Sequence, residues 1–433
     1  VQTCALPIWP SSASSQGKMA FLLPSTHPES IIKSMPDIKL DFNKLKPAQP
    51  PRLQQEIGAT FLLKTRKSIL SDGTGMGKTF TSLLAYEWAT QYYQDNYQMR
   101  ALVLVICKKN AILKWRDEIN KWFPNRYQPI VALPNYKPSR RGMMYAGWGQ
   151  DFPILEMTWN TLLRDWEIVF DTIQYLSKKY PIVVIADECQ VFKTWDSKLH
   201  ELMLTVQQYA TFVWGLTATP FHNNVTEWHG IMSGIDSAYA GGFFWFMDTF
   251  VNYHTDSFSK EPVPNKKNPI KNDAVYDFIF ARTLMREKME GLPGVTFENW
   301  FVDPLEEQNL KIYHLELEGK INPFKNSQLG TLQKKQQVID SPEEFGISKR
   351  SPKFDLLDRL IPLLDHRKIV IYTPFVKPLH AIKDYIQSLG YNTLFIDGSL
   401  SSNRRNEFMK KFMNDPNYRV IVIDDAGGDS IDL

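Results

Sequence analysis

Apolar runs of strand length alternate with helical segments through much of this chain, and this alternation restricts the fold more than any other feature. RALVLVICKKN, YPIVVIADEC and YATFVWGLTATP are rich in β-branched and other apolar residues, while AILKWRDEINKW has helical spacing. Strands that are apolar on both faces are typical of a parallel sheet covered by helices on both sides. The pattern predicts an α/β fold, with residues 46–235 as one domain.

The same alternation returns near the end of the sequence. RKIVIYTPF, LHAIKDYIQSLG and YRVIVIDDAGG predict strand, helix and strand, so residues 346–433 are expected to form a second α/β domain. Residues 236–345 combine a turn-rich basic loop with two segments of helical spacing, DFIFARTLMREKMEGL and LEEQNLKIYHLELEGKI, and predict a helical insertion or linker. Residues 1–45 are expected to be an N-terminal arm whose first residues are artefactual, with a true start near Met19.

Composition narrows the class of protein. Of the 433 residues, 43% are hydrophobic and 22% are charged, proportions typical of a folded globular chain. The formal net charge is only +3, so a nucleic-acid partner would have to be held by a local basic patch. Three scattered cysteines indicate a reducing compartment, and no run approaches the roughly 20 apolar residues needed to cross a bilayer. We therefore expect a bacterial or phage-encoded cytoplasmic protein without a membrane partner.

The stretch SDGTGMGKTF, residues 71–80, follows an apolar strand and precedes a helical segment. Three glycines alternate through it: Gly73, Gly75 and Gly77. They would let backbone N–H groups approach a triphosphate at the positive end of the following helix. Lys78 would reach the β and γ phosphates, and the Thr79 hydroxyl would bind Mg²⁺. Asp72 departs from the G-x-x-x-x-G-K-[ST] pattern by replacing its first glycine, and a flexible turn with a solvated lysine is the alternative.

A second candidate element is VVIADECQ, in which two acidic residues directly follow an apolar strand. The carboxyl ends of strands in an open α/β sheet are where ligands bind. Asp187 would orient Mg²⁺ there, and Glu188 would polarise the attacking water, as phosphoryl transfer requires. For an isolated pair, two solvated carboxylates on a surface turn are the alternative. The glycine–lysine loop earlier in the same predicted sheet favours a site for ATP and Mg²⁺.

Segments around these two motifs resemble a known family in the same order. GLTATPFHNNVTEW is similar to the third motif of Swi/Snf-type ATPases, which belong to helicase superfamily two and translocate on duplex DNA. DECQVFKTWDSK resembles their second motif, VICKKNAILKW their motif Ia, and IDGSLSSNRRNEFMKKF and DDAGGDSIDL parts of their second lobe. The likeness covers about residues 50–433. It implies two RecA-like lobes with a helical insertion between them, the second lobe being incomplete.

Matching positions take expected roles from this resemblance. Gln55 would belong to an adenine-sensing element before the phosphate loop. Gln190, Thr217 and Thr219 would couple the nucleotide site to DNA. Contacts with the DNA backbone are implied for three more residues: Lys109, Ser399 and Arg404. From sequence alone the two threonines could equally cap a strand end, and the last two residues could be a turn followed by a solvated helix face.

The chain also departs from the family pattern. Gln190 stands in place of a histidine, and it can still form hydrogen bonds. Lys108 replaces a proline. In the fifth motif Ser430 replaces a glycine and Asp432 an asparagine, which weakens the expectation of a DNA contact there. The sixth motif is expected to lie beyond Leu433, and lack of the arginine that it supplies to the γ phosphate typically costs about 10³ or more in turnover.

The resemblance implies an enzyme that hydrolyses ATP and moves along double-stranded DNA without reading its bases. Two alternatives stay open, an RNA or single-strand helicase of the same superfamily and a non-hydrolysing fragment that binds nucleotide or DNA. The abundant tryptophans could stack on bases. However, Trp115 and Trp122 fall on one face of a helix, which favours a place in the core.

Overall fold

The fold is described from a computed structural model. The residues that it describes are 38–221, 224–256, 262–265, 267–286, 298–321, 328–347, 350–364 and 367–424. Their contacts divide the chain into two units, a larger one that ends at Pro293 and a smaller one that begins at Gly294. The N-terminal arm up to residue 37 lies outside the described residues, as do Ser430 and Asp432.

A seven-stranded sheet forms the centre of the larger unit. Its strands are β1 (Lys67–Asp72), β2 (Leu102–Cys107), β3 (Ile130–Ala132), β4 (Ile154–Thr158), β5 (Ile182–Asp187), β6 (Phe212–Leu216) and β9 (Thr283–Arg286), while β7 (Tyr253–Thr255) and β8 (Pro262–Pro264) form a separate antiparallel pair. The order across the sheet is β3-β4-β2-β5-β6-β1-β9, and all neighbouring strands are parallel. The predicted α/β fold with a parallel sheet is confirmed.

Helices cover both faces of this sheet. They are α1 (Phe42–Leu45), α2 (Leu53–Thr65), α3 (Lys78–Tyr97), α4 (Ile112–Trp122), α5 (Pro138–Gly147), α6 (Trp159–Arg164), α7 (Trp166–Ser177), α8 (Lys198–Tyr209), α9 (Val225–Ile235), α10 (Ser237–Ala240), α11 (Phe243–Phe250) and α12 (Ala274–Phe280). Because strand side chains alternate, Val105 enters one core and Ile106 the other. Trp115 and Trp122 pack in the same core as Val105, so the prediction that they are core residues is confirmed.

The sheet order brings the predicted motifs to one edge. In the strand register, Leu216 at the end of β6 is paired with Leu70 of β1 on one side and with Asp187 of β5 on the other. Strands β1 and β5 are therefore two strand spacings apart, or about 10 Å. The phosphate loop follows β1, the acidic pair lies at the end of β5, and the threonine motif follows β6. All three motifs therefore lie at the carboxyl edge of the sheet, where such sheets bind ligands.

The boundary predicted at residue 235 differs from the structure. The segment DFIFARTLMREKMEGL was expected to be helical, but α12 ends at Phe280 and β9 begins at Thr283. Strand β9 pairs in parallel with β1, with Ile69 beside Thr283, so it belongs to the first sheet. The Thr283 hydroxyl accepts a hydrogen bond from the Trp228 indole at 2.8 Å. Pairing and burial at the sheet edge outweigh the local helical spacing here.

The smaller unit contains a second parallel sheet. Its elements are α13 (Glu306–Ile321), α14 (Gln328–Asp340), α15 (Lys353–Leu363), β10 (Ile369–Tyr372), α16 (Val376–Ser388), β11 (Thr393–Ile396), α17 (Ser402–Asn414) and β12 (Val420–Ile423). The strand order in the described residues is β10-β12-β11, all parallel. The helix predicted for LEEQNLKIYHLELEGKI is confirmed as α13. None of the helices in the described part of the chain is long and apolar enough to cross a membrane.

One buried carboxyl in the first sheet supports a prediction about stability. Glu156 on β4 is fully buried, and neither of its oxygens has a hydrogen-bond partner among the described residues. Burial raises its pKa well above the ordinary 4.5, against a smaller opposing effect of Arg116. Because the folded-state pKa is raised, ionisation of Glu156 adds no cost below pH 4.5, and the cost of burying its charge grows as the pH rises from that value towards the folded-state pKa.

Glu156→Met is therefore expected to raise the free energy of unfolding at pH 8 by about 1–3 kcal/mol and by less at pH 5. Denaturant unfolding at the two pH values measures this difference. Glu167→Met on α7 is the matched control, because Glu167 is exposed and its replacement should change stability little at either pH. A Glu156→Met chain that is less stable than the parent at pH 8 would contradict the prediction.

Candidate nucleotide-binding site

The glycine-rich loop has the backbone shape that its sequence predicts. It leaves β1 after Asp72 and enters α3 at Lys78. Gly75 and Gly77 have φ angles of +77° and +85°, in the left-handed region that favours glycine. A Cβ atom on Gly77 would lie 2.5 Å from the Gln55 side-chain nitrogen, so a larger residue would displace the Gln55 amide as well as strain the backbone. The loop thus presents backbone at its surface, as close approach of a phosphate requires.

Helix α3 adds a positive end to this loop. It runs for 20 residues from Lys78, and its first turn follows the loop directly. Free N–H groups and the helix dipole make such an N-terminus favourable for anions. The Lys78 ammonium donates to the backbone oxygens of Asp72 at 2.8 Å and Gly73 at 3.3 Å, which holds it at the loop. Thr79 is partly exposed in the first helical turn.

Gln55 is brought beside the phosphate loop by α2. Its side chain is 6% exposed, and its oxygen accepts from the Arg52 backbone N–H at 2.9 Å, which caps the start of the helix. The amide nitrogen lies against Gly77 of the loop. Proximity to the loop agrees with a role at the nucleotide, while adenine sensing by Gln55 stays a prediction.

Asp187 is held rigidly at the end of β5. One carboxylate oxygen accepts from the Glu188 backbone N–H at 3.1 Å, and the other accepts from the Trp115 indole N–H at 2.8 Å. The Trp159 indole donates to the Asp187 backbone oxygen at 3.0 Å. Burial raises the pKa of Asp187 to about 6, and the nearby Lys78 ammonium opposes this rise. A desolvated carboxylate of this kind would gain from a cation.

The donor set fits Mg²⁺. This ion prefers hard oxygen ligands and binds through one or two carboxylates, keeping several waters. Asp187 supplies a partly buried carboxylate whose charge is stabilised by the indole of Trp115. Thr79 supplies a hydroxyl in the first turn of α3. These two residues would hold the ion, as the sequence predicts.

Two indoles at the acidic pair were missed by sequence reasoning. The sequence pattern favours a core position for Trp115 over base stacking and indicates no bond between Trp159 and the acidic pair. Both follow strands, β2 and β4, that end at the ligand-binding edge of the sheet. That position is the signal that could have pointed to them. Mutation of a residue that orients a metal ligand typically lowers metal affinity about 10- to 100-fold.

Trp115→Phe is expected to raise, roughly tenfold, the Mg²⁺ concentration that half-saturates nucleotide binding. The change removes the hydrogen bond to Asp187 and keeps an aromatic ring in the core. Titration of Mg²⁺ against a fluorescent ATP analogue measures the effect. Trp122→Phe is the matched control on the same helix, because the Trp122 indole donates to Glu118 instead, at 2.7 Å. Equal Mg²⁺ responses of the two variants would contradict the assignment.

Glu188 occupies an unusual backbone conformation. Its φ and ψ angles are +52° and +49°, in the left-handed region that few non-glycine residues adopt. Its carboxylate accepts a hydrogen bond from the Gln190 amide nitrogen. The Gln190 amide oxygen is buried and has no partner within the described residues. Gln190, which replaces the family histidine, therefore holds the residue that is predicted to polarise water.

The threonine motif adopts a capped turn after β6. The Thr217 hydroxyl accepts from the Thr219 backbone N–H at 3.0 Å, and the Thr217 N–H donates to the Leu70 oxygen at 3.2 Å. Thr217 is buried and Thr219 is partly exposed. Both threonines thus lie in the turn that follows β6, the strand between β1 and β5, and the Thr217 hydroxyl stabilises this turn. Coupling to DNA stays a prediction for both.

The predicted DNA contacts lie on two different units. Lys109 is exposed in the turn after β2 of the larger unit. Ser399 and Arg404 are exposed in the smaller unit. The Ser399 hydroxyl donates to the carboxylate of buried Asp397 at 2.6 Å, and the Arg404 guanidinium lies 5.7 Å from the Phe408 ring centre.

The chain is similar to known protein families, curated sequences and solved structures. The SNF2-related domain family matches residues 52–344, and the helicase conserved C-terminal domain family matches residues 352–433. The chain is 24% identical over 376 residues to an uncharacterized ATP-dependent helicase of Mycoplasma pneumoniae, covering 84% of this chain and 34% of the relative. It is 24% identical over 392 residues to chromodomain-helicase-DNA-binding protein 1-like of Danio rerio, covering 84% of this chain and 35% of the relative.

The chain thus spans about a third of the length of these curated relatives. Among solved structures, the Sulfolobus solfataricus SWI2/SNF2 ATPase core in complex with dsDNA is similar with a TM-score of 0.46 and 21% identity, over 89% of this chain and 80% of that chain. The family match over residues 52–344 covers well over half of the sequence and confirms the resemblance seen in its motifs. The chain belongs to the SNF2-related family of helicase-like ATPases.

Proposed function

We propose that this chain binds and hydrolyses ATP and uses the cycle to move along double-stranded DNA. One observation carries the nucleotide part. The glycine-rich loop with Lys78 and the acidic pair Asp187 and Glu188 follow neighbouring parts of one parallel sheet and lie at the same edge.

Each group at this edge has a chemical task in the proposal. The loop N–H groups and Lys78 bind the phosphates, and Thr79 and Asp187 hold Mg²⁺. When bound, the ion neutralises charge on the phosphate oxygens. Glu188 accepts a proton from the attacking water as the water adds to the γ phosphorus, while the bond from that phosphorus to the β–γ bridging oxygen breaks and ADP leaves. Gln190 orients the Glu188 carboxylate for this step through its amide N–H.

The DNA part of the proposal has separate support. The chain belongs to the SNF2-related family, and one relative is described as a DNA-binding helicase. Lys109, Ser399 and Arg404 are exposed and could meet phosphates without reading bases. We place this activity in the cytoplasm, because Cys107 and Cys189 are free thiols, as a reducing compartment favours.

Binding to nucleic acid at several salt concentrations tests this part. We expect a labelled DNA duplex of mixed sequence to bind with an affinity that falls steeply with salt and changes little with sequence. Arg404→Ala should reduce the slope of log affinity against log salt by roughly 0.9, the contribution of one phosphate contact. Arg359→Ala on α15 tests whether loss of any surface arginine has the same effect. Duplex binding that is insensitive to salt, or binding to RNA alone, would overturn the proposal.

A further inference from the structure

Asp72, the residue that breaks the usual phosphate-loop pattern, has a specific partner in the structure. Its side chain is only 1% exposed, at the end of β1. One carboxylate oxygen accepts from Arg286 Nε at 2.7 Å, and the other accepts from Arg286 Nη2 at 2.5 Å. This is a two-point pairing of a planar guanidinium with a carboxylate, which fixes direction as well as distance.

Arg286 also forms hydrogen bonds with Gly73, at the start of the phosphate loop, and with Gln54, on α2. Its backbone oxygen accepts from the Gly73 N–H at 2.8 Å, and its Nη1 donates to the Gln54 backbone oxygen at 2.8 Å. Arg286 at the end of β9 thereby joins the start of the phosphate loop to α2, next to Gln55. A Cβ atom on Gly58 of α2 would lie 3.1 Å from Arg286 Nη2, so a glycine there leaves room for the guanidinium.

We propose that Arg286 is a positioning residue that sets the phosphate loop for nucleotide binding, an inference that rests on the proposed binding of ATP at this loop. The reason lies in the position of Lys78. Its ammonium donates to the backbone oxygens of Asp72 and Gly73, and Arg286 holds both of these residues. A shift at Arg286 therefore moves the anchor of the phosphate-binding lysine.

An arginine is needed for this task because a lysine cannot bind both carboxylate oxygens and Gln54 in one plane. A purely structural role of Arg286 would affect only unfolding. A positioning role would also change affinity for nucleotide in a chain that stays folded. The two roles can therefore be separated by measuring both quantities on a conservative variant.

Arg286→Lys tests the proposal, with binding of a fluorescent ATP analogue and thermal unfolding measured on the same samples. We expect the Kd to rise on the order of tenfold, because small misplacements of binding groups are costly, while the chain remains folded. Arg282→Lys is the matched control. Arg282 precedes β9, donates to the Thr65 backbone oxygen at 3.2 Å and lies over the Tyr239 ring, so it ties the same strand without touching the loop.

The control variant should change unfolding and leave the Kd as in the parent. An unchanged Kd in Arg286→Lys, or an equal rise in Arg282→Lys, would overturn the positioning role while leaving the proposed function intact. A parent chain that binds the analogue no better than Lys78→Ala would overturn the nucleotide site itself, and with it this inference.

Discussion

Replacement of Lys78 by alanine is expected to abolish nucleotide binding while leaving the fold intact. The Lys78 ammonium is held at the start of the loop by two backbone oxygens, where it can form charge-assisted hydrogen bonds with phosphate. We expect affinity for ATP to fall by at least roughly 100-fold, which corresponds to two charged hydrogen bonds of about 1.5 kcal/mol each.

Equilibrium binding of a fluorescent ATP analogue measures this effect, and circular dichroism verifies the fold. Lys198→Ala is a suitable control. Lys198 lies at the start of α8 and forms an ion pair with Glu201. The Lys198 side chain is 64% exposed and the Glu201 side chain 68%, so loss of this ion pair should change the free energy of unfolding little. Unchanged affinity of the Lys78→Ala chain for ATP would contradict the assignment of the phosphate loop.

The second large effect is expected for Glu188→Gln, which should bind nucleotide as tightly as the parent and hydrolyse it far more slowly. The amide keeps the shape of the carboxylate and can still accept the hydrogen bond from Gln190. However, it cannot take a proton from water. Loss of a general base typically costs about 10²–10⁴ in rate.

Single-turnover hydrolysis of ATP and the Kd of the analogue, measured together, separate chemistry from binding. Glu201→Gln is the matched control, because Glu201 is an exposed carboxylate on α8. A Glu188→Gln chain that hydrolyses ATP at the parental rate would contradict the role of Glu188. A chain that no longer binds ATP would show that Glu188 acts in binding and not as a base.

The larger elements of this fold could be predicted because their signals are local. An apolar run such as β2 specifies a buried strand by itself, and a loop with Gly75, Gly77 and Lys78 can be recognised within ten residues of sequence. The grouping of these strands in one parallel sheet then follows from the tendency of apolar strands that alternate with helices to pack in this way, whereas their order across the sheet is known only from the structure. This is why the sequence predicts both candidate motifs at a shared edge.

Features that depend on distant pairing could not be predicted in this way. Asp72 was seen as a departure from a motif, and its partner Arg286 lies more than 200 residues further on. The strand that carries Arg286 has helical spacing in sequence and becomes β9 only by pairing with β1. The hydrogen bond from Trp115 to Asp187 likewise needs two strands to be neighbours before it can form.

The central claim is that this chain couples ATP hydrolysis to movement on duplex DNA, so that duplex DNA stimulates the hydrolysis. The most direct test compares its rate of ATP hydrolysis with double-stranded DNA, single-stranded DNA, RNA and no nucleic acid, each against Lys78→Ala as a blank. We predict the largest stimulation by double-stranded DNA. Stimulation by RNA or single strands alone would contradict the claim and favour a helicase on those substrates. Hydrolysis that no nucleic acid raises above the blank would contradict it in favour of a non-hydrolysing binder.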